Sequence, residues 1–319
     1  MSLDIPVPPS SSRVARALRG PEGAMLATEQ GAGPPPATPP RARGQRAAMH
    51  SRQTLLRLLF CLPPCLVRAQ DGAPFDPGCS VPFPDALHHP IDDDCGIEGK
   101  SSAADKRVES RAKNNLCATG PSTWVTLFTF RKLKEAAEKP GFHLGADRSG
   151  ARNVWVTNPA GATIGEGSLV KFSAFVIRAD TANRSGGENV NCSRGGTPRN
   201  DIHIHLAPSP SKEKANFCAA IGAEISPHLR PDSLNSGDLM LTDGRPVRVT
   251  GQLFFDNNHP AKCDLKTPAN SRASTWEIHP TYSVEVCKFA TLATCDARKD
   301  DVWVRMPEWV TGQEADDEP

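Results

Sequence analysis

Aromatic residues are scarce. Phe, Trp and Tyr make up 6% of the 319 residues, with a single tyrosine, Tyr282. That leaves little for the stacking platforms that hold single-stranded nucleic acid. No uncharged apolar run reaches the length of about eighteen residues that a spanning helix needs. Lysine is missing from residues 1–69, which hold nine arginines and three acids, a net +6. The rest of the chain carries 28 basic and 33 acidic residues, a net −5. A phosphate-backbone binder shows the opposite sign, so nucleic acid is not an expected partner. There is no GxxxxGK[ST], HExxH or GxSxG, which removes the signatures of P-loop NTPases, the common zinc peptidases and α/β-hydrolases. No CxxC pair occurs, so neither a zinc ribbon nor a thioredoxin-type site is indicated.

What is present begins with a low-complexity front. Pro, Ala, Gly and Arg fill 29 of the first 48 positions. Such a segment buries too little apolar surface to offset its ordering entropy, and reads as disordered or as a mis-called upstream stretch. Met49 opens a signal-peptide pattern over residues 49–69. Arg52 and Arg57 form the basic part, Leu58 to Val67 the short apolar part, and Val67-Arg68-Ala69 the cleavage site. A mature chain starting near Gln70 keeps Cys79, Cys95, Cys117, Cys192, Cys218, Cys263, Cys287 and Cys295, an even and dispersed set. In an exported chain that pattern reads as disulfides, with a periplasmic or extracellular location. The competing reading is free, buried thiols acting as small hydrophobes.

The mature chain divides in two by its periodicity. Residues 70–150 read as loop followed by a small helical part, with helices over 105–118 and 124–139, an N-cap in Pro121-Ser122-Thr123, and Cys95 and Cys117 placed to pin it. From 151 to 295 the period becomes two. Strands are expected at 168–178, 201–206, 219–226, 246–255 and 275–287, the fourth bent at Gly251 and the last interrupted at Pro280. The fold class expected is α+β, mainly β: a small helical N-terminal part and a five-stranded OB-like Greek-key barrel, with an open β-sandwich as the alternative. Residues 296–319 read as an acidic tail.

The blocks AKNNLCATG, GGENVNC, DIHIHLAPS, EISPHLRP, VTGQLFFDNNH and WEIHPTYSVEVC together resemble those of a group of uncharacterised exported bacterial proteins. The resemblance covers roughly residues 90–288. It implies export and carries no activity over to this chain.

Chemistry concentrates in the β-rich blocks. In DIHIHL, Asp201, His203 and His205 share one strand face while Ile202, Ile204 and Leu206 share the other. Two imidazoles two residues apart on a strand reach a common point, a recurrent metal-binding arrangement. In WEIHP, Glu277 and His279 share a face, and Asp256 and His259 follow a strand end. His203, His205, His259 and His279 with Asp256 form a donor set suited to Zn²⁺ or Mn²⁺. The plainer alternative is a set of structural His–carboxylate contacts on a polar strand face.

Two function classes follow. One is an exported, disulfide-containing β-domain that binds a ligand or protein partner, with a metal. The other is a metal-dependent hydrolase acting on phosphodiesters or similar esters, in which Glu277 is the base and Arg272 steadies the anion. Arg248 is a further candidate for anion contact. Glu188 and Asn191, in GGENVNC, could line the same cleft or simply build a turn beside Gly186-Gly187.

Overall fold

The protein is described by a computed structural model that covers residues 75–80, 88–138, 154–158, 160–181, 185–296 and 298–316. All of these fall in one compact unit. The signal pattern of residues 49–69 lies outside them.

Four helices and nine strands are present among the described residues. In chain order they are α1 (Ala104–Lys113), β1 (Thr123–Trp124), α2 (Leu127–Ala137), β2 (Trp155–Thr157), β3 (Thr163–Gly165), β4 (Leu169–Thr181), β5 (Ile202–Ala207), α3 (Lys214–Phe217), β6 (Ile221–Ile225), β7 (Pro246–Phe255), β8 (Trp276–Cys287), β9 (Trp303–Arg305) and α4 (Met306–Asp316). Five of them close on themselves: β4 pairs with β5, β5 with β6, β6 with β8, β8 with β7, and β7 with β4. All pairings are antiparallel except β6–β8, which is parallel. This is the five-stranded Greek-key barrel of OB type, and closure rules out the open sandwich. It closes because β4 serves two neighbours, with Leu169–Phe175 on β7 and Phe175–Thr181 on β5.

The period-two pattern puts Ile202, Ile204, Leu206, Ile221, Ala223, Ile225, Trp276 and Ile278 into the buried core. Phe130, Leu133 and Ala137 of α2 pack on that same core. Gly251 sits at a register shift between β7 and β8, where a Cβ would come within 2.4 Å of Ile278 Cγ2. A larger residue there would force the two strands apart. β8 runs unbroken through Pro280.

Three expectations are corrected. The N-cap of α2 is Thr126, which forms a capping box with Thr129. Thr123 and Trp124 are instead drawn into the sheet beside Val170 and Lys171, so the helix starts later. Cys95 and Cys117 pin different places: the bridges are Cys79–Cys117, Cys95–Cys192, Cys218–Cys263 and Cys287–Cys295. Residues 296–319 are not a plain tail. They carry β9, which pairs with β8, and α4, whose Met306 is buried in the barrel core. Arg248 anchors this segment by donating to both oxygens of Glu285 at 2.6 Å and to Asp300 at 2.7 Å.

All eight cysteines after the signal pattern are bridged. Cys95–Cys192 spans 97 residues and Cys287–Cys295 spans 8. Loop-closure entropy grows with span, so Cys95→Ser/Cys192→Ser should lose about 2 kcal/mol more stability than Cys287→Ser/Cys295→Ser. Paired urea melts measure the difference; equal losses would contradict it.

Candidate metal centre

The outward positions of three neighbouring strands build the site. On β5 the outward residues are His203 and His205, on β6 Glu224, and on β8 Glu277 and His279. Register sets His203 opposite Glu224, and Ala223 opposite Ile278, so Glu224 lies beside Glu277 and His279. An outward face would ordinarily be wet. Here it is covered, and Glu277 and His279 are 0% exposed.

Two pieces form the cover. The first is the C-terminal end of α1, which brings Lys113. Gln252 donates to the carbonyls of Ala112 and His279, at 2.7 and 3.0 Å, and so ties that helix end to β8. The second is the turn bearing Glu188, held by the Cys95–Cys192 bridge and by the Lys100 N–H donating to the Asn189 carbonyl at 2.9 Å. Gly99 permits this approach, because a Cβ there would lie 2.3 Å from the Asn189 oxygen.

The side chains then converge. His279 Nδ1 is 2.8 Å from Glu224 Oε2 and 3.5 Å from Glu277 Oε1. His203 Nε2 is 3.6 Å from both Glu188 Oε1 and Glu224 Oε1. Lys113 Nζ is 3.6 Å from Glu224 Oε2. Asp201, at 1% exposure, accepts a 3.4 Å hydrogen bond from Asn191 Nδ2. Asn191 is itself fully buried. Two sets of donors have ligand atoms within 4.8 Å of one another: Glu188, Asp201 and His203, and Asp201, Glu224 and His279. A first-row divalent ion bound at about 2.0–2.2 Å spans roughly 4 Å between opposite ligands, so either set needs only a small closure to hold one.

The polar atoms of this cluster are short of partners. His279 Nε2, His203 Nε2, Glu277 Oε1 and Asp201 Oδ2 make no hydrogen bond. His279 Nδ1 is taken up by Glu224 Oε2 as a close ion pair.

The electrostatics are correspondingly strained. Burial, then the charge of Glu188, raises the Asp201 carboxyl to about 7. Burial works against a charged His279, yet Glu224 outweighs it and lifts the imidazole to about 10. Burial opposes ionisation of Glu224 too, but His203, Lys113 and His279 hold it well below the usual carboxylate range. Glu277 is raised by burial and by Glu224.

Of the residues singled out from sequence, Glu188, Asp201, His203 and His279 meet here in the donor sets, with Glu277 against His279. His205 belongs to neither donor set. It packs against Phe217, with ring centroids 5.5 Å apart, and burial and Arg178 lower it to about 4. His259 and Asp256 also stand outside both sets. His259 is 73% exposed at its side chain and contacts Asp256 Oδ2 at 2.9 Å. Arg272 is fully engaged, donating to Asp256 at 2.7 Å, to Glu277 at 2.9 Å and to the His259 carbonyl. Arg248 serves the C-terminal segment described above. Sequence reasoning misses Glu224 and Lys113. Glu224 is the one charged residue of its strand, which is the only signal the sequence held for it.

A cleft of 350 Å³ adjoins the cluster, lined in part by Lys106, Lys113, Glu188, Asn258 and His259. Comparison with protein-family models, with curated proteins and with solved structures finds no match.

Proposed function

We propose that the protein is an exported OB-like domain that holds a divalent metal ion, Zn²⁺ or Mn²⁺, against the outer face of β5, β6 and β8. Export is supported by four disulfides, which belong to oxidising compartments. It is also supported by the signal pattern and by the resemblance to exported bacterial proteins.

The observation that carries the metal is His279. Fully buried His279 has its Nδ1 against Glu224 but its Nε2 without any partner, and buried polar atoms normally find partners. One ion among His279, Glu224 and Asp201 would satisfy all three side chains at once. Imidazole with carboxylate suits Zn²⁺ and Mn²⁺. Elemental analysis after dialysis against either metal tests this. Wild-type protein should retain metal, and His279→Ala should lower both metal content and the metal-dependent rise in melting temperature. Wild-type protein emerging metal-free would overturn the reading.

The adjoining cleft favours a second reading, a metal-dependent hydrolase of phosphodiesters or similar esters. An ion at this site would supply a water of lowered pKa. Glu277, raised by burial, is the base in that reading. The contact with the substrate's anionic group falls to Lys113 and His259 at the cleft, because Arg272 is committed to Asp256 and Glu277. Turnover of bis(p-nitrophenyl) phosphate by metal-loaded protein, lost in Glu277→Gln, separates this from binding alone.

A further inference from the structure

We propose that the centre takes two divalent ions, with Asp201 as the carboxylate between them; this rests on the metal-binding reading above. Five side chains offer ligand atoms, but they fall into two overlapping sets rather than one. Glu188 and His203 lie at one end, Glu224 and His279 at the other, and Asp201 is common to both. The five do not all lie within 4.8 Å of one another, so one ion seated in either set leaves donors of the other unused. Two ions about 3.5–4 Å apart use them all, and that separation is usual where a carboxylate bridges.

The buried atoms face the right way for this arrangement. Asp201 has its Oδ2 unpartnered, while Oδ1 accepts only the long bond from Asn191 and keeps a lone pair. The two oxygens of Glu224 face different histidines: Oε1 is 3.6 Å from His203 Nε2, and Oε2 is 2.8 Å from His279 Nδ1. Glu224 can therefore serve either ion. The His203 end is the more open, with 32% of that side chain exposed, and it meets the 350 Å³ cleft through Glu188. The His279 end is closed. The two positions thus differ in access: an inner ion held by Glu224 and His279, and an outer ion held by Glu188 and His203, facing whatever occupies the cleft.

The test is stoichiometry. Protein stripped with chelator is loaded with Mn²⁺ and its metal content measured, together with the electron paramagnetic resonance spectrum. Two ions per chain with an exchange-coupled spectrum are expected. His203→Ala and, independently, Glu188→Gln should each reduce this to one ion with an isolated-ion spectrum, and circular dichroism would check their folding. A wild-type content of one ion, unchanged in both variants, would overturn the two-ion inference and leave the single site standing. Two ions retained in both variants would place the second elsewhere and overturn it as well. No retained metal would overturn this inference and the proposed function together. If either variant misfolds, the other and the wild-type spectrum still decide.

Discussion

Lys113→Met is expected to cost the metal-free protein about 3–5 kcal/mol, the usual consequence of removing one partner from a buried ion pair. Lys113 stands among the carboxylates with Arg272 and His279 when no metal does. Burial pulls its pKa down, but Glu224, Asp256, Glu277 and Glu188 together hold it well above the ordinary lysine value. Its ammonium is 3.6 Å from the Glu224 oxygen that also faces His279. Lys113 therefore competes with an incoming ion for the same carboxylate. Removing it should destabilise the metal-free protein and tighten metal binding by about tenfold or more, since a cation at this distance repels another appreciably even at moderate effective dielectric. Zn²⁺ or Mn²⁺ at roughly a thousand times Kd should then restore about 4 kcal/mol. Chemical melts with and without chelator, for wild type, Lys113→Met and a charge-keeping Lys113→Arg, read both effects. If Lys113→Met is destabilised and metal does not rescue it, the cluster is a structural ion network and nothing more.

The alternation of apolar residues made the barrel legible in the sequence. DIHIHL, PVRVTGQLFF and WEIHPTYSVEVC each commit one face to the core, and all three became barrel strands close to where period two placed them. The same alternation showed that His203 shares a face with Asp201, and His279 with Glu277. It could not show which strands are neighbours. The β6–β8 pairing, which brings Glu224 to His279, joins residues 55 positions apart in sequence across a single parallel register. Lys113 was invisible for a related reason: it sits at the end of a short helix whose sequence gives no hint of what it covers. His205 and His259 look equivalent to His203 in the sequence. They part company in space because His205 is one pleat further along β5, beside Arg178, and His259 follows the strand end that Asp256 and Arg272 occupy. Disulfide partners were likewise beyond local pattern. Cys192 is carried to Cys95 by the turn that also delivers Glu188, so one long-range bridge fixes a piece of the candidate site.

Asp201→Asn should raise the stability of the metal-free protein at pH 8 while removing its ability to be stabilised by metal. Burial and then Glu188 raise the Asp201 carboxyl from its ordinary value of 3.8 to about 7, with His279 and Lys113 pulling only partly the other way. A carboxyl whose folded pKa lies above its unfolded one favours the fold while protonated. Its contribution is fully present below 3.8 and is lost as pH rises towards and through about 7. At pH 8 the ionised, buried group therefore costs the fold a few kcal/mol, at about 1.4 kcal/mol for each tenfold difference in proton affinity between the folded and unfolded chain. Asparagine removes the charge and can still accept the bond from Asn191, so the variant should melt several degrees higher in chelator at pH 8. The gain should shrink to nothing near pH 4, where Asp201 is protonated in the wild-type fold. Added Zn²⁺ or Mn²⁺ should then raise the wild-type melting temperature strongly and the variant's little, because the amide is a poor ligand at the position both donor sets share. A fold that retains a destabilising carboxylate at a site of this kind resembles other functional sites, where local cost is tolerated for the sake of a ligand. Melts of both proteins at pH 4 and pH 8, with chelator and with metal, give the four comparisons needed. If Asp201→Asn destabilises the chelated protein at pH 8, the carboxylate is a structural partner, and its place between two ions goes with it.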